Sequence, residues 1–309
     1  KVYFVGDVVA LVAADTEEIA TEALDLIDVE YEQLEAVFSA EDALKEGAVE
    51  IYPRFKGNHV DNGIKYFQPD GPWWQIIRGD VKKGFEEAAY VAEDKVAFDK
   101  MPSPLAPETP CCIAKYEGGN EYTIWASSQS AHILKLMGEG RIPHSTLNVK
   151  TFNVGGSYGN KQSLMTTVLS ASMLSLVTKR PVKIVLTKEE QLMSYEVRLG
   201  STITAKIGMD KEGYVRAVEG DWLVDTGAVA DSVQGQVGVG LGEAQLVCAK
   251  CPNWYMDSHI AVTNKQPAGI VRGYGGQELN SCLERLMCTV MKEGNFNPLD
   301  VFKKNYIAP

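Results

Sequence analysis

Val154-Gly155-Gly156-Ser157-Tyr158-Gly159-Asn160-Lys161-Gln162 is the stretch on which the reading of this chain turns. It joins a strand expected at 150–154 to a long helix expected at 162–178. Glycines at such a junction let the backbone approach a neighbouring group closely, and a helix N-terminus offers N–H groups to an anion or an oxo group. A phosphate-binding P-loop needs Gly-x-x-x-x-Gly-Lys followed by Ser or Thr. Counted from Gly155, the second glycine is replaced by Asn160, and Gln162 follows Lys161, which excludes that motif. A nucleophile elbow, Gly-x-Ser-x-Gly, is matched literally by Gly155 to Gly159 with Ser157 at its centre. It would need an acid such as Asp225 or Asp231 and then His259, although His259 falls in the strand-like run 256–262 rather than in a loop. The plainest alternative makes these glycines ordinary turns of a non-catalytic interaction domain.

Outward from this stretch, strands and helices alternate without strict βαβ regularity, which points to an α+β fold. Strands are expected near 90–98, 111–116, 121–127 and 181–186, with a helix from Ser130 to Gly138. A hairpin of 203–209 and 214–225 turns at Asp210-Lys211-Glu212-Gly213. The weakly polar run 164–177 reads as a buried helix, and 278–293 as a final helix, with no terminal helix after it. At the start, Val2–Val5 and Val8–Val12 look like strands. A helix opens at Asp15 or Thr16 with Glu17 and Glu18 complementing its dipole, and 29–31 returns to strand. This β-β-α-β unit gives a first domain at 1–60, a Pro/Gly/Asn-punctuated linker at 61–74 and a second domain at 75–309. The opening at Lys1 and the abrupt end suggest a fragment.

Composition narrows the function classes. The 309 residues are 45% hydrophobic and 23% charged, a globular balance. A net charge of −11 with scattered basic residues argues against nucleic-acid binding. No apolar run approaches the ~18 residues of a membrane span. Six cysteines are too sparse for a disulfide scaffold, so a reducing, cytoplasmic setting is expected. Cys248-Ala249-Lys250-Cys251 is a lone Cys-x-x-Cys without a second pair, and His59, His132, His144 and His259 show no ligand spacing.

Several short motifs carry a resemblance. Phe4-Val5-Gly6-Asp7-Val8-Val9-Ala10 and Val29-Glu30-Tyr31-Glu32 resemble the hammerhead domain of the xanthine dehydrogenase and aldehyde oxidase family. Gly79-Asp80-Val81, Glu108-Thr109-Pro110-Cys111-Cys112, Ser127-Ser128-Gln129, Gly155 to Lys161, and Arg272-Gly273-Tyr274-Gly275-Gly276 follow that family's order, with Arg180-Pro181-Val182-Lys183 between them. The resemblance implies a partial α/β-hammerhead domain followed by the first molybdopterin-binding domain of a large subunit. The activity it implies is hydroxylation of an aldehyde or N-heteroaromatic carbon with water-derived oxygen. Electrons would leave through iron–sulfur clusters and FAD on partner domains or subunits. The cofactor would be molybdenum–molybdopterin, the cytosine dinucleotide being one of its forms.

Residue by residue, the resemblance makes Gln129 a donor to an oxo ligand of the metal, a role an uncharged amide suits. Read without the family, Gln129 equally caps the following helix. Gly155, Gly156 and Gly159 would lie along the cofactor, Tyr158 would replace the usual Phe beside the metal, and Arg272 would bind the anionic ligand with its guanidinium fork. Tyr158, Gln162, Gly240 and Tyr274 would face the substrate. Purine-oxidising members carry Glu and Arg where Gln162 and Gly240 stand, which argues against a purine, and Pro110 replaces a frequent His. No residue of the chain is expected to ligate the metal directly. The family's general base is a Glu in a Gly-Glu-Pro-like turn. Gly242-Glu243-Ala244 imitates it but precedes Arg272 and lacks the Pro, so the base is expected on another segment or a partner, as is the second molybdopterin domain.

Overall fold

The computed structural model describes residues 1–60, 75–99, 102–142, 144–162, 164–229 and 233–306. The expected linker at 61–74 therefore lies outside the described residues, as does Asp231. Nine strands are described: β1 (Ile76–Arg78), β2 (Tyr90–Phe98), β3 (Cys111–Gly118), β4 (Glu121–Ala126), β5 (Thr146–Thr151), β6 (Val182–Val185), β7 (Gly200–Met209), β8 (Val215–Asp225) and β9 (Asn253–Ala261). They divide between two compact units, each assembled from separated stretches of chain. One comprises residues 1–35, 102–198 and 265–272, and the other 36–101, 199–264 and 273–309.

The first unit holds a four-stranded sheet in the order β5-β4-β3-β6. β4 and β5 are parallel, and such a pair needs a crossover, supplied here by the helix Ala131–Arg141. Gly138 lets that helix sit on β5: a Cβ there would meet Leu147 Cδ1 at 2.4 Å. On the sheet packs the helix Met165–Thr178, whose Val168 and Ala171 join Ala114, Ile124, Leu134, Leu147 and Leu164 in the core. This is the buried helix the apolar run foretold. Its start lies three residues later than expected, because Leu164 takes a left-handed conformation (φ 49°) and holds Gln162 out of the helix. The strand expected at 150–154 is likewise shifted to β5, since its partner β4 ends opposite Thr151.

The N-terminal β-β-α-β expectation is corrected. The helix forms at Glu17–Leu24, with the Thr16 hydroxyl accepting from Ile19 N, but neither 2–12 nor 29–31 is a strand. Their apolar pattern finds no partner strand among the described residues, and Val5 and Leu26 are 82% and 85% exposed.

The second unit holds the five-stranded sheet β1-β9-β8-β7-β2, including the expected hairpin of β7 and β8. β8 and β9 are parallel, bridged by a helix at Val233–Val247 that sequence reading missed. Six of its first eight residues are glycine or valine, poor helix formers that hide its periodicity. The amphipathic helix Gly276–Glu293 packs on β2 and β7, and Ile203, Ile207 and Met209 of β7 are buried. A closing helix, Pro298–Asn305, corrects the expectation of none: Asn297 caps it and Pro298 occupies its first turn.

Candidate functional site

The topology of the first unit places its unusual segments at one edge. Parallel strands β4 and β5 end side by side, Ala126 opposite Thr151. Ser127-Ser128-Gln129 leave from the first end and the glycine loop from the second. Antiparallel β3 starts at the same edge, with Cys112 opposite Ala126, so Glu108 just before it arrives there too. The carboxyl edge of parallel strands is where open α/β sheets place ligands.

The loop is held by hydrogen bonds that fix its donors and acceptors. Glu108 N donates to Gly155 O (3.0 Å), and Gly155 N returns a bond to Glu108 Oε2 (3.1 Å). The same carboxylate oxygen accepts from Lys161 Nζ at 2.7 Å. Lys161 is fully buried, whereas the Glu108 side chain is 36% exposed. Burial works against the Glu108 charge, yet the Lys161 ammonium and the Gly155 N–H outweigh it and hold its carboxyl below the usual range.

Gln129 is exposed, but its amide has a defined orientation. The Ser157 hydroxyl accepts from Lys161 N (3.1 Å), so its own proton goes to Gln129 Oε1. Gly159 N also donates to Oε1, at 3.2 Å. Two donors at one end of the amide make that end the oxygen, which leaves the Nε2 donor with no partner among the described residues. Tyr158, next to Gly159, accepts Arg272 N at 2.8 Å. Consecutive residues of one turn thus carry Gln129 and Arg272. The Arg272 side chain is exposed and pairs with no carboxylate among the described residues. Asn160 keeps both amide atoms buried without a partner among the described residues, a deficit that a buried polar guest relieves.

The glycines have their own local reasons. Gly159 lies at φ 113° with the Ile270 carbonyl against it, where a Cβ would come within 2.3 Å of the oxygen. At Gly155 a Cβ would meet Glu108 Cβ at 2.7 Å. Tyr158 itself sits in the left-handed region (φ 55°) and is 46% exposed. A tyrosine held there is backbone strain of the kind that collects at ligand sites.

Two residues expected to face a substrate, Gly240 and Tyr274, belong to the second unit. Gly240 is buried in the helix Val233–Val247, where a Cβ would meet Gly275 O at 2.7 Å and Trp222 Cη2 at 2.9 Å. Tyr274 is left-handed (φ 46°) and half-buried, its hydroxyl close to Gly235. Glu243 lies on the same helix rather than in a turn. Gln162 is half-buried just after the loop, its carbonyl accepting from Ser128 Oγ at 3.2 Å.

Ser157 lacks the partners of a nucleophile: its proton is committed to an amide oxygen, and no His or carboxylate bonds to it among the described residues. His259 lies on β9 with Asp221 at 3.3 Å and Asp257 at 3.7 Å. Among the described residues no group of three or more His, Cys, Asp or Glu side chains is placed to hold a metal ion. All six cysteines are free. Cys251 is buried with its thiol pushed up to about 11, and Cys248, fully buried, is also raised by desolvation. Among the described residues no helix is long and apolar enough to cross a membrane.

The molybdopterin cofactor-binding domain model matches residues 65–306, and the a/b hammerhead domain of aldehyde oxidase and xanthine dehydrogenase matches residues 1–35. The large molybdopterin subunit of nicotinate dehydrogenase from Eubacterium barkeri is 28% identical over 97% of the chain, which spans 68% of that subunit. A probable xanthine dehydrogenase subunit from Bacillus subtilis (strain 168) is 30% identical over the whole chain, which spans 40% of it. Quinoline 2-oxidoreductase from Pseudomonas putida 86 superposes over the full chain with a TM-score of 0.82 at 25% identity, and the chain spans 38% of that protein.

Proposed function

The chain belongs to the molybdopterin cofactor-binding domain family, and on that premise we propose that it binds molybdenum–molybdopterin as part of a larger oxidoreductase. The reaction proposed is hydroxylation of an aldehyde or N-heteroaromatic substrate with water-derived oxygen. One observation carries the site assignment: the Gln129 amide, turned by Ser157 and Gly159, leaves its N–H donors outward on the turn that also holds Arg272. An uncharged donor and a guanidinium with no carboxylate partner among the described residues fit a group bearing oxo and phosphate oxygens.

When bound, the cofactor supplies the two-electron acceptor and the activation of water. Gln129 then donates to an oxo oxygen, and Arg272 neutralises the anionic part of the ligand. Gly155, Gly156 and Gly159 keep the loop in the shape that presents these groups. Tyr158 and Gln162 are assigned as the uncharged, substrate-facing residues of the first unit. The names of the relatives acting on nicotinate and quinoline, both N-heteroaromatic compounds, support that substrate class. The general base, the second molybdopterin domain and the iron–sulfur and FAD centres are assigned to other segments or partners, the pterin's cytosine dinucleotide form is kept as an option, and the location as cytoplasmic. Residues 1–60 act as a partial hammerhead domain and 75–309 as the cofactor domain. The chain alone is expected to be inactive.

The test is molybdenum content by mass spectrometry, with turnover, in the complete enzyme carrying Gln129→Ala or Arg272→Ala. A fall in either quantity for each variant is expected. Unchanged values in both variants overturn the site assignment.

A further inference from the structure

In the first unit, Tyr195–Arg198 runs beside residues 266–272. Gln266 Nε2 donates to Tyr195 O, Val197 N to Pro267 O (3.0 Å), Gly269 N to Val197 O (2.9 Å) and Ile270 N to Glu196 Oε2 (3.3 Å). The last bond of this series is made by a side chain: Arg198 Nη2 donates to Arg272 O at 2.6 Å. Arg198 is itself anchored, its backbone N–H donating to Pro102 O at 3.0 Å. The backbone of Arg272 is therefore gripped on both sides, its N–H by the Tyr158 carbonyl of the glycine loop and its C=O by a guanidinium. A charged donor makes a bond about twice as strong as a neutral one, and a planar fork loses less freedom on binding than an ammonium on a flexible stem. The next residue, Gly273, is at φ 102°, so the chain turns sharply where that bond ends.

We propose that Arg198 is a positioning residue: by holding the Arg272 carbonyl it sets the direction of the Arg272 side chain and seats the glycine loop for the cofactor. This rests on the cofactor reading above. Arg198 acts through Arg272 and is given no contact with the ligand.

The experiment is amide hydrogen exchange resolved to single residues in the complete enzyme, with molybdenum content measured on the same preparations. In Arg198→Ala the Arg272 amide should exchange about tenfold faster. Gly269, whose bond to Val197 is untouched, should keep its protection, and Arg198→Lys should restore part of the Arg272 effect. Molybdenum content should fall in Arg198→Ala as in Arg272→Ala. Unchanged protection at Arg272, or equal loss at Gly269, overturns the positioning role. So does faster exchange at Arg272 with molybdenum retained, provided Arg272→Ala loses it. If Arg272→Ala retains both molybdenum and turnover, the cofactor assignment of Arg272 falls, whatever the exchange data show.

Discussion

Replacing Glu108 by Gln would leave the Lys161 ammonium fully buried without a counter-charge while preserving an acceptor for Gly155 N. Breaking a buried ion pair from one side costs about 3–5 kcal/mol, because the remaining charge stays desolvated. Glu108 is 36% exposed, so water already shares in its solvation, and the lower end, about 3 kcal/mol, is the expected loss. In a unit of about 140 residues each kcal/mol lowers the midpoint by roughly 3–4 °C, giving a drop near 10 °C in calorimetry. The double variant Glu108→Gln, Lys161→Met removes both charges and should recover most of that drop, since replacing a buried pair by apolar groups is often neutral. The sign with pH follows from the depressed folded-state value of Glu108. Its contribution is present above the ordinary Glu value of about 4.3 and is lost as pH falls through the folded value. Glu108→Gln should therefore lack that part of the acid dependence. A Glu108→Gln protein as stable as the parent, or a double variant no better than the single, would refute the clamp.

Gly159→Ala should cost roughly 3 kcal/mol, since φ 113° strains any L side chain and the Ile270 carbonyl blocks the Cβ; denaturant unfolding measures it. Ser157→Ala should lose about 1–2 kcal/mol by stranding Lys161 N and loosening Gln129, with no change in ester turnover over background. A loss of ester turnover would restore the hydrolase reading. Burial pushes the Cys112 thiol up to about 12, whereas Cys288 is exposed. Alkylation of the native protein near pH 8 should therefore mark Cys288 and spare Cys112 in peptide mass analysis, and rapid labelling of Cys112 would contradict the packing around it.

Sequence periodicity carried the parts of this fold whose side chains are sorted by burial. Alternation along Ile203–Met209 and the turn at Asp210–Gly213 foretold β7 and β8, and the apolar run at 164–177 its helix, because each pattern is satisfied within one sheet face or helix side. The pattern failed at Val2–Val12, an apolar run with no strand alongside it among the described residues, and at Val233–Val247, where glycine and valine obscured a helix. For the site, motif order brought out Gln129, the glycines and Arg272. It could not reveal that Ser157 orients the Gln129 amide or that Glu108 and Lys161 pin the loop. Those links join residues 28 and 53 positions apart, and chain order alone does not announce them.

The grip on Arg272 also has a bearing on the order in which the chain matures. Glu108, Gln129 and the glycine loop leave the ribosome early, but the residue that locks the loop comes much later in the sequence. By then β1, β2, β7, β8 and β9, every described strand of the other unit, have already been synthesised. Because chains fold as they emerge and distant contacts close last, the edge of the first sheet stays unlocked until residue 272 has emerged. A cofactor needing both Gln129 and Arg272 would then have its full seat only once residue 272 is in place, which puts its insertion after the strands of both described sheets have been made.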